Sequence, residues 1–456
     1  MNTAQIISQQ RAFFNSNQTK DIAFRIEQLR KMQSLLKENE KLLYKAIYDD
    51  FKKSEFETYA SELVMIYHEI NLAVSQIRRW SRRKKVPTGF ANFPAKSYII
   101  PEPLGIALVI GAWNYPYQLS LLPAISAMAA GNTVIIKPSE LPSRTSAVMA
   151  SLINSTFDPC YLYVAEGGVE ETKALLEHRF DKLFFTGSIP VGRLVYQAAA
   201  KHLTPVTLEL GGKSPTFVFS DCAIQTTARR IAWAKFLNAG QTCVAPDYLL
   251  VEKKVEKIFL EALFKEMDKY PQTAFPFPDH YTQLITTRNF DRLSALIDPR
   301  KVCYGGNMDR ESRFISPTVM TEVSFGDKIM EDEIFGPVLP VLSFSNLDEI
   351  LREVKNRPKP LSCYIYSKNR RTIKKIVAEL SFGGGAVNDS VMHLTNSYLP
   401  FGGVGFSGLG SYHAKAGFDA FSHHKSMMHK PFWFEPNLKY PPYNLNKMKW
   451  VKRIME

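Results

Sequence analysis

Apolar residues recur at helical spacing through the first part of the chain: Ile22, Phe24, Ile26, Leu29 and Met32, then Leu42, Leu43, Ala46 and Ile47. This pattern predicts long helices over residues 21 to 80, ending in the basic run Arg78, Arg79, Arg82, Arg83, Lys84 and Lys85. After a link containing Pro, Gly and Asn the period changes. Short β-rich runs (GIALVIGAW, NTVIIKPSE, YLYVAEGG, DKLFFTGS) alternate with helix-like stretches such as LLPAISAMAA. Such alternation predicts repeated β-α units on a parallel sheet, the pattern of a nucleotide-binding α/β domain. A second series follows Glu209, with PTFVF, AIQTTARRIAWAKFL, YLLVE, KIFLEALFKEMDKY, PVLPVLSF and SCYIYS. It predicts another α/β domain with its own sheet. Beyond Phe401 the chain turns Gly-rich, then aromatic and basic.

No charged residue interrupts the stretch after Glu102 until Lys137, which superficially invites a membrane span. Asn114, Pro116, Gln118, Ser120, Pro123, Gly131 and Asn132 break it up, so strand, loop, buried helix and strand are expected instead. A length of 456 residues predicts two or three domains, and 45% apolar with 22% charged residues excludes disorder. The net charge of +13 points to an anionic partner. The five cysteines, Cys160, Cys222, Cys243, Cys303 and Cys363, form no CxxC pair, and the polar N-terminus carries no secretory signal. A reduced, cytoplasmic-type compartment is expected. The nine histidines show no HxxxH or HExxH spacing, so no metal is expected. The Arg78–Lys85 run holds one aromatic, Trp80, and reads as a solvated helix end rather than a nucleic-acid site.

A GxGxxG match occurs at Gly403–Gly408. A dinucleotide fingerprint needs a strand before it, a helix after it and an acidic residue about 20 positions on. This match has no βαβ unit behind it and reads as loop glycines. Other segments carry more: GAWNYP (Gly111 to Pro116), IIKPSE (Ile135 to Glu140), FTGS (Phe185 to Ser188), ELGGKSP (Glu209 to Pro215) and NAGQTC (Asn238 to Cys243). With EIFGP (Glu333 to Pro337) and LPFGGVGFSG (Leu399 to Gly408), their set and order resemble the NAD(P)-dependent aldehyde dehydrogenase superfamily, from about residue 10 to about 425. The short region before WNYP is similar to the class 3, fatty-aldehyde-type branch.

The resemblance implies an α/β fold: a Rossmann-type coenzyme domain, a second α/β catalytic domain and a bridging oligomerisation element. Its expected boundaries are 1–82 with 104–207 for coenzyme binding, 208–406 for catalysis, 83–103 with 407–425 for bridging, and 426–456 for a basic aromatic tail. Cys243 matches the nucleophile whose thiolate attacks the aldehyde carbonyl, giving a thiohemiacetal and, after hydride leaves to nicotinamide, a thioester. Asn114 matches the amide that binds the oxyanion, with the Cys243 N–H as its partner. Glu209 matches the base that activates the hydrolytic water, and argues against an acylating enzyme. Lys137 and Glu140 match a pair gripping the adenine ribose; Gly187, Ser188 and Trp113 match the pyrophosphate site; Glu333 and Phe335 match the nicotinamide ribose and ring. Ile189 stands where the family places Thr, which removes one possible phosphate contact. Glu140 disfavours a 2′-phosphate, so NAD is expected, although class 3 relatives often accept NADP as well.

Tyr115, Asn388, His393 and Phe401 are candidates for lining an access tunnel, with plain packing as the competing reading. The expected substrate is an apolar, medium- or long-chain aldehyde, and the expected assembly a homodimer. Rival readings are an acylating or reductive relative, a non-catalytic membrane-associated protein retaining the fold, and a cysteine hydrolase, which lacks a His in any motif. From residue 413 onward the net charge is +5, among Phe432, Trp433, Phe434, Tyr440, Tyr443 and Trp450. That mixture fits a peripheral membrane contact or an arm packed on protein.

Overall fold

The computed structural model describes residues 3–274 and 279–455. Helices come first: α1 (Thr3–Asn15), α2 (Ile22–Glu38), α3 (Glu40–Phe51), the single turn α4 (Glu55–Thr58) and α5 (Val64–Trp80). A π-helical turn, Tyr59–Leu63, joins the last two. Strands β1 (Lys84–Val86) and β2 (Lys96–Pro103) follow. The alternation then runs β3 (Ile106–Ile110), α6 (Pro116–Ala130), β4 (Thr133–Lys137), α7 (Ser143–Thr156), β5 (Leu162–Val164), α8 (Val169–Leu176), β6 (Lys182–Thr186), α9 (Ile189–Lys201) and β7 (Val206–Glu209).

The second series comprises β8 (Pro215–Val218), α10 (Ile224–Phe236), β9 (Tyr248–Glu252), α11 (Glu256–Met267), α12 (Thr287–Ser294) and β10 (Val302–Tyr304). It continues through β11 (Met308–Asp309), β12 (Phe314–Ile315), β13 (Thr318–Met320), β14 (Val338–Phe344), α13 (Leu347–Lys355), β15 (Ser362–Tyr366), α14 (Arg370–Glu379) and β16 (Gly384–Val387). The chain closes with β17 (Gly408–Leu409), α15 (Ala414–Ala420), β18 (Ser422–His429) and α16 (Leu445–Met455).

The first sheet has the order β17-β7-β6-β3-β4-β5, parallel except for β17. Its strands are buried on both faces, which is why residues 103 to 136 tolerate no charge. Ala107 and Val109 join Val134 and Ile136 under α2, α3, α5, α6 and α7. Ile106, Leu108 and Ile110 face the other way, toward Ile6 and Ile7 of α1, Leu175 of α8 and Val195 of α9. Helix α6 is buried along its whole length. The uncharged stretch is therefore core, as expected.

A second sheet, β10-β13-β14-β9-β8-β15-β16, is parallel except at β10. Helices α10 and α11 cover one face, where Ile231 and Leu263 meet Leu249 and Val251. A third, antiparallel sheet joins β1, β2 and β18. Strand spans differ from the expected divisions. Strand β7 runs through Glu209, across the expected 207/208 division, because it stays hydrogen-bonded beside β6 to its last residue. Strand β18 runs to His429, past the expected tail start at 426, because it pairs with all eight residues of β2. The decoy glycines lie around β17, an antiparallel edge strand, rather than in a βαβ unit.

Candidate active site

The first sheet reverses its strand order between β3 and β6, since the chain moves out through β4 and β5 and returns to β6 and β7. Loops diverge at the carboxyl ends there and leave the crevice where α/β sheets bind ligands. Ile110 lies opposite Lys137 on one side and Phe185 on the other, so three loops leave the sheet at one level. They carry Trp113 and Asn114, Lys137 and Glu140, and Gly187 and Ser188.

This crevice suits a dinucleotide. Helix α9 begins after Ser188, which makes no side-chain cap hydrogen bond, so its first-turn N–H groups stay available to an anion. Lys137 is buried, its Nζ donating to the Pro138 carbonyl at 2.7 Å. Burial lowers its pKa, opposed by the charges of Glu140 and Glu171. Glu140 is exposed at the rim. The Trp113 ring meets Phe335 edge-on at 5.4 Å, which joins the GAWNYP and EIFGP loops. Glu333 is packed against Gly211, where a Cβ would lie 1.8 Å from its Oε2, so a side chain at Gly211 is sterically barred. Burial raises the Glu333 pKa well above the carboxylate range, Asp247 adds to the rise, and the Gly212 N–H counters it.

Cys243 follows α10 on a tight loop in which Asn238 and Ala239 adopt left-handed backbone angles. Gly240 is also left-handed, at φ +73°, and a Cβ there would sit 2.2 Å from the Gly336 carbonyl. The loop is stitched to the Asn114 loop. Asn114 Nδ2 donates to the Gln241 carbonyl at 3.0 Å, Asn238 Nδ2 donates to the Asn114 carbonyl at 2.9 Å, and Tyr115 shares a 2.6 Å hydroxyl contact with Thr242. An amide carries two N–H donors, so Asn114 keeps one beyond Gln241. Burial pushes the Cys243 thiol pKa up; the charges of Glu333 and then Glu209 raise it further.

Glu209 ends β7. It is 3% exposed, and neither carboxylate oxygen has a hydrogen-bond partner in the protein. Burial alone raises its pKa well above the usual carboxylate value. Such a carboxyl is poised to act on a water molecule rather than to hold structure.

The wall beside Cys243 is apolar: Ala234, Val244, Leu361, Val391, Leu394 and Phe401. Tyr115 and Phe401 adjoin the thiol loop. Phe401 stacks on His413 with ring centroids 5.3 Å apart. His393 lies near Phe401; burial lowers its pKa to about 4, so it is neutral at pH 7, and both ring nitrogens lack partners. Asn388 is placed differently. Its amide is committed to the Ser367 backbone, at 2.9 and 3.0 Å, and so serves the end of β15. Sequence reasoning missed His413, Val391, Leu361 and Leu394, which carry no motif signal of their own. Among the described residues, no group of three or more His, Cys, Asp or Glu could hold a metal ion.

Comparison with known proteins shows the family. The model of the aldehyde dehydrogenase family matches residues 2–427. The chain is 46% identical to the 4,4'-diaponeurosporen-aldehyde dehydrogenase of Staphylococcus aureus, over 98% of this chain and 97% of that one. It is 43% identical to the dimeric NADP-preferring aldehyde dehydrogenase of Rattus norvegicus, over 96% and 97% of the two chains. Other relatives carry the name aldehyde dehydrogenase family 3. Among solved structures, the substrate-bound state of Staphylococcus aureus AldH superposes with a TM-score of 0.97 at 44% identity, covering 100% of both chains.

Proposed function

The chain belongs to the aldehyde dehydrogenase family, in its class 3-like branch, and we propose that Cys243, Asn114 and Glu209 carry its NAD(P)-dependent oxidation of aldehydes to carboxylic acids. The observation that carries this assignment is the stitching of the Cys243 and Asn114 loops beside a buried, unpartnered Glu209 carboxylate. Cys243 Sγ bonds to the aldehyde carbon as a thiolate, and its raised pKa means that attack requires loss of a proton. The free N–H of Asn114 and the Cys243 backbone N–H stabilise the alkoxide more than the carbonyl it came from. NAD(P), when bound, supplies the hydride acceptor. Lys137, Glu140, Gly187, Ser188 and Trp113 hold its adenosine and pyrophosphate half; Glu333 and Phe335 hold the nicotinamide half. Glu209 then takes a proton from the water that hydrolyses the Cys243 thioester.

The apolar wall of Leu361, Val391, Leu394 and Phe401 favours apolar aldehydes. In this scheme the first sheet with its helices carries the coenzyme and the second sheet with the thiol loop completes the catalytic unit. The third sheet mediates subunit contact in a homodimer; the rat relative is named dimeric. Five free cysteines suit a reducing, cytoplasmic compartment. The exposed tail, with Phe432, Trp433, Tyr443 and Trp450 among lysines, reaches a membrane surface. Among the described residues no helix is long and apolar enough to cross a membrane.

Aldehyde-dependent NADH formation tests the three roles. Cys243→Ala should abolish turnover. Glu209→Gln should release one burst of NADH and then turn over slowly, because only the hydrolytic step needs the base. Steady turnover at the native rate in either variant removes the role given to that residue. A panel of short aliphatic, long aliphatic, aromatic and polyene aldehydes then ranks substrates.

A further inference from the structure

Three charged side chains that the chemistry above does not use converge behind the two catalytic loops. Lys53 and Glu62 form an ion pair at 2.8 Å with no exposed side-chain surface. Lys53 Nζ also donates to the Asn114 carbonyl at 3.1 Å and lies 4.2 Å from the centre of the Tyr115 ring. The second oxygen of Glu62 accepts the Tyr117 and Gln118 N–H groups, at 2.8 and 3.3 Å. These are first-turn amides of α6, whose own preceding residue, Tyr115, provides no side-chain cap. Glu62 therefore caps from outside the helix, with the charge that a helix N-terminus favours. On the other loop, Glu57 Oε1 accepts the Asn238 N–H at 2.7 Å, and its Oε2 accepts the Thr282 hydroxyl at 3.2 Å. Asn238 is the left-handed residue that turns the chain toward Cys243, and its side chain holds the same Asn114 carbonyl that Lys53 holds.

The local backbone explains how one short segment serves both loops. On a regular α-helix, residues five apart point about 140° away from each other. Glu62 lies within the π-helical turn Tyr59–Leu63, whose wider coil brings it round toward the side of Glu57.

Resting on the roles given above to Asn114 and Cys243, we propose that Lys53, Glu57 and Glu62 are positioning residues that set the oxyanion donor against the thiol. None of them touches the substrate. They act by fixing the Asn114 carbonyl and the Asn238 amide from one rigid side, so that the Asn114 N–H meets the alkoxide as it forms. Loss of either anchor lets one loop drift relative to the other, and misplacement of about 1 Å is enough to lower a chemical step a hundredfold.

Single-turnover NADH formation separates this role from a merely structural one. The amplitude reports the fraction of folded active sites, and the rate constant reports chemistry in each site. Lys53→Met and Glu57→Ala are made in the native chain and in Asn114→Ala. Glu57→Ala removes the acceptor for Asn238 while leaving the Lys53–Glu62 pair in place, so the test survives if Lys53→Met does not fold. Each change should lower the rate constant roughly tenfold or more in the native chain. In Asn114→Ala, where the side-chain donor that these anchors position is gone and only the Cys243 backbone N–H remains, the same change should have less than about a twofold effect. Equal losses in both backgrounds, or lower amplitude with an unchanged rate constant, overturn the positioning role while leaving that of Asn114 intact. An unchanged rate constant in Asn114→Ala alone overturns both.

Discussion

At the scale of single residues, burial decides which groups are chemically ready. Glu209 and Glu69 both have carboxyl pKa values raised by desolvation, yet they do different work. Glu209 has no partner and is free to meet water. Glu69 accepts the Ala414 N–H at 2.7 Å and has a pKa raised to about 7 by burial. Its folded value lies above its ordinary value, so the folded state binds the proton more tightly and the associated stability is fully present below about 4.5. That stability is lost as pH rises through about 7, by roughly 3 kcal/mol over the interval. Glu69→Gln should flatten this slope in denaturant unfolding measured between pH 4.5 and 7.5, and a slope equal to the native one refutes the assignment. The proposed catalytic trio could be put forward from sequence because Asn114, Glu209 and Cys243 each stand in a distinctive run of neighbours. Lys53, Glu57 and Glu62 could not, since a charged residue normally faces solvent, whether on a helical turn, as Glu57 and Glu62 are, or in a link, as Lys53 is. Their burial follows only from the approach of two loops more than 50 positions away in sequence.

At the scale of elements, apolar runs located β3, β4, β5, β6, β8, β9, β14 and β15, because strands buried on both faces read as unbroken apolar runs, but left β7, β10, β13, β16 and β17 unassigned. Short strands such as β17, two residues long, have no period to read and owe their place to β7. The turns that place Cys243 were equally hidden, since Asn238 and Ala239 adopt angles that their residue types do not announce. Gly240 completes that turn. In Gly240→Ala the new methyl group meets the Gly336 carbonyl and the backbone stays in the left-handed region. The expected loss is about 1–3 kcal/mol of stability. Because Gly336 belongs to the EIFGP loop, the same shift should also weaken NAD(P) binding, read as quenching of protein fluorescence. A variant with native melting temperature and native cofactor affinity contradicts this account of the turn.

At the scale of the whole molecule, part of the surplus of positive charge lies in the C-terminal region, where residues from 413 onward carry a net +5. The tail forms part of a continuous aromatic surface. Phe90 stacks on Phe93 at 6.4 Å, Phe93 meets Phe434 at 6.2 Å, and Trp433 lies beside Phe434 at 5.9 Å. Helix α16 adds exposed Leu445, Met448, Trp450 and Val451. Lys447 turns its ammonium back to the Tyr440 carbonyl at 2.8 Å, whereas Lys452 falls among the apolar positions of the helix. Cations beside exposed rings suit an anionic lipid surface, where each contributes about 1 kcal/mol and salt screens the attraction. The cut that tests this must spare β18, which pairs with β2 through His429, so the shortened chain should end at Lys430. The full chain should sediment with phosphatidylserine-containing vesicles at low salt and less so at high salt, and the shortened chain should stay in the supernatant. Both should oxidise a short, water-soluble aldehyde at the same rate. Equal sedimentation of the two chains would show that the tail packs on protein, and a shortened chain with fewer subunits per particle would place that packing between protomers.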